Sequence, residues 1–121
     1  MDKEQALYEF WSSFGVPAYD EGDVPENAEM PYITYSTATG AIENVLQLTA
    51  SVWYRSSSWI EGAKKAGQIA ERIVTMEKPQ KIDGGYMWVT QGRPFSQRVS
   101  DPDDTVRRQL LNVQVEFLTN W

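Results

Sequence analysis

The stretch that most constrains the fold is the last third of the chain, Gly84–Phe117, GGYMWVTQGRPFSQRVSDPDDTVRRQLLNVQVEF. Within it, Leu111, Val113, Val115 and Phe117 alternate with Asn112, Gln114 and Glu116. A period of two sends the apolar set to one face of a strand and the polar set to the other. Such a strand needs an apolar layer on one side and leaves its other side to water or a partner. The pattern predicts two extended segments, Tyr86–Gln91 and Val106–Leu118. Between them lie a Gly-Arg-Pro break and a turn at Asp101-Pro102-Asp103-Asp104, where Asp first and Pro second suit a type I turn. Four of the six arginines crowd here: Arg93, Arg98, Arg107 and Arg108.

The remainder supplies the layer. Leu7, Phe10, Trp11 and Phe14 follow helical spacing within Asp2–Phe14, and Gly15 with Pro17 stops that helix. Pro31 opens a short strand, Tyr32–Thr37, and Ala38–Gly40 reads as a turn. In the long strand Val45–Arg55, Leu46, Leu48, Ala50, Val52 and Tyr54 share one face. Trp53 sits on the opposite, polar face, where either a loop covers it or another subunit does. Ser58-Trp59-Ile60-Glu61 fits a capping box ahead of a second helix, whose stripe is Ala63, Ala66, Ile69, Ala70, Ile73 and Val74. Gly62 and Gly67 are expected to allow close packing there. Pro79 ends the helix, Lys81–Ile82 begins a strand, and Asp83-Gly84-Gly85 turns into Tyr86. The expected fold is α+β, a mostly antiparallel sheet with two helices on one face, in the order α-β-β-α-β-β. Leu7, Phe10, Phe14, Leu48, Val52, Ile69, Ile73, Val113 and Val115 are expected to share one core.

Composition narrows the chemistry. The 121 residues suit one domain and include no cysteine and no histidine. That removes disulfides, thiolate ligands, thiol nucleophiles and the commonest general base. No phosphate loop, GxGxxG, SxxK or GxSxG motif occurs, and Glu43, Glu61, Glu71 and Glu116 fall on polar faces or caps. Asp101, Asp103 and Asp104 lack the glycine and glutamate of an EF-hand loop, so they read as a turn held by ion pairs to the nearby arginines. No apolar run is long enough to span a membrane, and Met1–Phe10 is too charged for a signal peptide. Residues 1–31 hold eight acids and one base, a net −7, so with a total of −6 the rest of the chain sums to +1. A chain with this balance is poorly suited to holding phosphates. The stretch Asp20–Glu29 carries five acids, Asp20, Glu21, Asp23, Glu26 and Glu29, with no base; it is either a solvated loop or a docking surface.

The order of these segments, and above all QGRPFSQRVSDPDDTVRRQLLNVQVEF, resembles the tail terminator (tail completion) proteins of long-tailed bacteriophages. PYITYS from Pro31, the strand ending VWYRSSSW and the helix after it are similar to that family too, so the resemblance runs from about Pro31 to Leu118. It implies a single domain over 1–121, with no catalysis and no cofactor. It also implies a hexameric ring on the finished tail tube, ending tube polymerisation and offering the surface that joins the head. The implied partners are further copies of the chain, the tail tube protein and head–tail connector proteins. DNA passes through the lumen without specific binding, and no membrane is involved. The implied location is the host bacterial cytoplasm during assembly, then the tail or neck of the virion. Another neck component, such as a connector, stopper or minor capsid protein, is the neighbouring reading; a small ligand-binding domain would instead show a deep pocket with convergent polar groups. A head-to-tail ring needs two different complementary patches. Charge placement offers them at Asp20, Glu21, Asp23, Glu26 and Glu29 on one side, and at Arg93, Arg98, Arg107 and Arg108, with Asp101, Asp103, Asp104 and Trp53, on the other.

Overall fold

A computed structural model describes residues 1–37, 45–76 and 79–119. The turn expected at Ala38–Gly40 and the position of Glu43 lie outside the described residues. The elements are α1 (Lys3–Ser12), β1 (Ala18–Asp20), β2 (Tyr32–Tyr35), β3 (Val45–Arg55), α2 (Ile60–Thr75), β4 (Gln80–Ile82), β5 (Gly85–Val99) and β6 (Val106–Thr119). They form one six-stranded sheet in the order β1-β2-β3-β6-β5-β4. β1 runs parallel to β2, and every other neighbouring pair is antiparallel. The expected α+β layering and mostly antiparallel sheet are therefore observed, with a parallel edge that the sequence reading lacked. Parallel neighbours need a crossover, and the acidic stretch 21–31 provides it.

β3 and β6 form the centre. Their register sets Leu48 opposite Val113 and Ala50 opposite Leu111, so both alternating apolar sets fall on one face. Both helices close over that face. Leu7, Phe10, Trp11 and Phe14 from the first helical segment join Ala66, Ile69 and Ile73 of α2 and the strand residues in a single core. All nine residues expected to share one core are in it. Lys65 Nζ ties the two helical segments by donating to the Phe14 carbonyl at 2.7 Å.

The helix ends follow from local chemistry. Asp2 caps α1, its carboxylate accepting from the Gln5 N–H at 2.8 Å, and Gly15 takes φ +83° soon after the helix ends. α1 spans the sheet: it packs on β1 and β2 at one edge and on β4 at the other. The Met1 carbonyl accepts from the Asp83 N–H at 2.7 Å, beside the β4–β5 turn. The expected capping box at α2 does not form. The helix starts one residue late, with Trp59 in the cap position at φ −88°, ψ −2° and no side-chain cap. Ser58 Oγ instead accepts from the Ile60 N–H at 3.2 Å, a short local turn.

The α2 stripe is narrower than the sequence suggests. Ala66, Ile69 and Ile73 are buried, whereas Ala63 is exposed and Val74 keeps 73% of its surface. Gly62 is buried beside Gln109, but a side chain at Gly67 would meet nothing within 4 Å. Close packing therefore does not explain Gly67. Gly67→Ala should raise stability by about 0.5–1 kcal/mol, read from the denaturation midpoint, because alanine costs less backbone entropy in a helix.

The Gly-Arg-Pro segment is a bulge within β5, not a break. Gln91 pairs with Val113 and Ser96 with Leu111, so residues 92–95 stand opposite Asn112 alone. Asn112 Nδ2 donates to the Pro94 carbonyl at 2.9 Å, pinning the extra residues. The turn that follows also sits later than expected. Its closing bond runs from the Val106 N–H to the Asp103 carbonyl at 3.1 Å, while Asp101 only accepts from the Asp103 N–H at 3.0 Å.

Candidate assembly surface

The face of the sheet away from the helices carries an aromatic row. Register places Tyr32 beside Trp53, and Trp53 beside Arg108. Tyr19 meets Tyr32 edge-on, with ring centres 5.7 Å apart, and Tyr32 lies 6.3 Å from Trp53. The Arg108 guanidinium sits 4.9 Å from the centre of the Trp53 ring. Trp53 Nε1 donates to Thr34 Oγ1 and Arg108 Nε to Ser51 Oγ, each at 2.9 Å. Trp53 is thus half-covered by its neighbours on the same face.

A second arginine–aromatic group stands where α2 begins. The guanidinium carbons of Arg98 and Arg107 lie 5.1 and 5.5 Å from the centre of the Trp59 ring. Arg107 also donates to the backbone carbonyls of Asp104, Val106 and Ser57, at 2.8, 3.0 and 3.0 Å. It fastens the β5–β6 turn to the segment that leads from β3 into α2. Its Nε is buried without a partner among the described residues, as is Gln109 Oε1. Arg98 is exposed and lies over Trp59; Arg93 is exposed at the bulge.

The ion pairs expected between Asp101, Asp103, Asp104 and the four clustered arginines are not formed. Among the described residues the turn holds one pair, Asp103 with Arg55 of β3, at 3.4 Å. Arginine planes have gone to indole faces and backbone carbonyls, and the acids have gone to the turn itself. Asp103 Oδ1 accepts from the Thr105 hydroxyl at 2.7 Å and from its N–H at 2.9 Å. These bonds, the hydroxyl first, hold the Asp103 carboxyl below the usual carboxylate range. No three acidic side chains converge as cation ligands would among the described residues.

The acidic crossover is held at its root by the Glu21 N–H, which donates to the Tyr35 carbonyl at 2.9 Å, and by the Asp20 side chain. That carboxylate accepts from the Gly22 N–H and the Thr37 hydroxyl, both at 2.9 Å. Glu21, Asp23, Glu26 and Glu29 are exposed and form no ion pair among the described residues. The crossover acids therefore form no ion pair with the hairpin arginines among the described residues, and those arginines divide between the two sheet faces, Arg98 and Arg107 at Trp59 and Arg108 at Trp53. Sequence reasoning missed Trp59 as the platform for Arg98 and Arg107; its place one residue before a helix, among serines, was the available signal. It also missed Tyr86 and Leu118, which face each other across β5 and β6 at 46% and 47% exposure.

Three shallow depressions, of about 330, 360 and 340 Å³, open on the surface, and none includes the arginine–aromatic groups. Among the described residues no helix is long and apolar enough to cross a membrane.

Comparison with solved structures places this fold beside a known assembly. A chain from the virion of a native gene transfer agent particle superposes with a TM-score of 0.62. The match covers 96% of this chain and 94% of that one, at 12% identity. The two share a fold. No protein-family description and no curated protein matches the sequence.

Proposed function

We propose that this chain is a structural protein of a phage-like virion, and that its work is to terminate the tail tube and present the surface to which the head joins. The observation that carries the reading is the shared fold, which extends over almost the whole of both chains and belongs, in the neighbour, to a virion. The resemblance of residues from about Pro31 to Leu118 to the tail terminator family supports the more specific role. The architecture suits it: one sheet face is sealed by helices, and the other carries aromatic and arginine side chains of the kind that dominate protein contacts. On this reading the chain is not an enzyme and acts through contacts alone. Its partners are copies of itself in a ring, the tail tube protein and the connector, with DNA passing through unheld. It works in the host cytoplasm during assembly and stays in the tail or neck.

Deleting the gene and imaging the particles by electron microscopy tests this. The expected result is unjoined heads and tails, with tails of abnormal length, restored by supplying the protein in trans. Tails of normal length that fail to join would assign the chain to a connector or stopper position instead. Normal, joined virions would overturn the virion role.

A further inference from the structure

The acidic crossover and the hairpin arginines are complementary in charge, yet neither is matched within its own subunit among the described residues. The β1–β2 crossover holds five acids and no base. Glu21, Asp23, Glu26 and Glu29 are exposed and unpaired among the described residues. On the β5–β6 hairpin, Arg93, Arg98 and Arg108 form no pair with any carboxylate among the described residues. The one pair at the hairpin takes Arg55, from a different strand, and uses Asp103.

How the arginines are held makes them receptive. Arg98 rests against Trp59 on the helix side of the sheet, 5.1 Å from the ring centre, whereas Arg108 rests against Trp53 on the opposite side, at 4.9 Å. Trp59 holds the Arg98 guanidinium, whose N–H groups donate to nothing among the described residues and stay available to a carboxylate, whereas Arg108 already gives its Nε–H to Ser51 Oγ. A plane already fixed has less freedom to lose when that carboxylate arrives. Arg107 differs, because backbone carbonyls occupy its terminal nitrogens. It serves the fold and is not part of the docking surface.

We infer that Arg93 and Arg98, the exposed arginines of β5, receive the acidic β1–β2 crossover of a second copy of this chain. The contact joins two different patches, so it runs head to tail and can close a ring. The choice of a second copy rests on the proposed assembly role as well as on the charge match. The charges lie at the rim, so they govern register and rate of encounter and should respond to salt.

The test uses purified full-length protein in sedimentation velocity at low and high salt. The wild type should self-associate at low salt and dissociate as salt rises. One variant carries Arg93→Glu with Arg98→Glu; the other carries Glu21→Arg with Glu26→Arg. All four sites are exposed, and circular dichroism checks that each variant folds. If the reversal at Arg93 and Arg98 disturbs the bulge, Arg93→Gln with Arg98→Gln removes charge without reversing it and should also weaken association. Each variant alone should associate about tenfold or more weakly than the wild type. Mixed in equal amounts, the two should associate again, because the reversed arginine sites of one then face the reversed acidic sites of the other, while the second contact keeps its wild-type charges. A wild type that stays monomeric, variants that associate as the wild type does, or a mixture no better than its components would each overturn the contact. The deletion phenotype judges the virion role separately, so failure of the contact and failure of that role give different results.

Discussion

Replacing Trp11 with alanine should remove about 3–5 kcal/mol of stability, the range for truncating a large buried aromatic. Trp11 keeps 1% of its surface and packs edge-on against Phe10 at 4.9 Å and tilted against Phe14 at 6.4 Å. Its loss leaves a cavity under the helix that spans the sheet, and the rigid strands beneath can collapse into it only partly. Domains of this size are stable by roughly 5–15 kcal/mol, so the variant should unfold at a clearly lower urea concentration with an unchanged slope. Tyr8, on the same helix and 49% exposed, is the control; Tyr8→Ala should change stability by less than about 0.5 kcal/mol. A similar small loss at Trp11 would mean that α1 does not pack on the sheet as described.

The second large effect is expected at Gly92. A Cβ there would lie 2.8 Å from both the Cβ and the carbonyl oxygen of Asn112, and 2.9 Å from its carbonyl carbon. Two of those three atoms are backbone in the central strand β6, which cannot step aside without disturbing its ladder with β3. Gly92→Ala should therefore cost about 1–3 kcal/mol, as overpacking does, in the same urea titration. Trimming the neighbour does not relieve the clash, because Asn112→Ala leaves the carbonyl in place. The double variant should be no more stable than Gly92→Ala alone. A neutral Gly92→Ala would show that the bulge is loose and that its glycine is incidental.

That same glycine shows where sequence reading reaches its limit. Leu111–Phe117 and Leu48–Val52 were legible because alternation is a local property and the core face follows from it directly. The first helix was legible for the same reason, at its own spacing. Gly92 and Pro94 read as punctuation, since neither favours a ladder; the ladder nevertheless resumes, because Asn112 reaches across to the Pro94 carbonyl. β1 offers three residues, too few for a period to appear, and its parallel pairing depends on a crossover with no pattern of its own. The clustered arginines and aspartates suggested ion pairs through their closeness in sequence. In the fold, exposed pairs gain little, whereas indole faces and free carbonyls nearby give the guanidinium groups better-defined partners. The candidate assembly surface was thus legible as a list of charges but not as a geometry, and Trp59, which organises half of it, carried no periodic signal.

The reach of α1 from one sheet edge to the other bears on the order in which the molecule can form. β5 and β6 are joined by the short turn over residues 100–105 and can pair as soon as both exist. α1 is made first, but one of its docking strands, β4, is made only near residue 80, and the bond that anchors its start comes from Asp83. Contacts separated by so much chain carry a high closure entropy and form late. The contacts of α1 with β4 and Asp83 are therefore among the last to form, whereas those with β1 and β2 close over far less chain. Until the late contacts form, the β4 edge of the sheet lacks the helix that seals it and stays open to water. A nascent chain arrested before β4 would hold α1 on the β1–β2 edge alone.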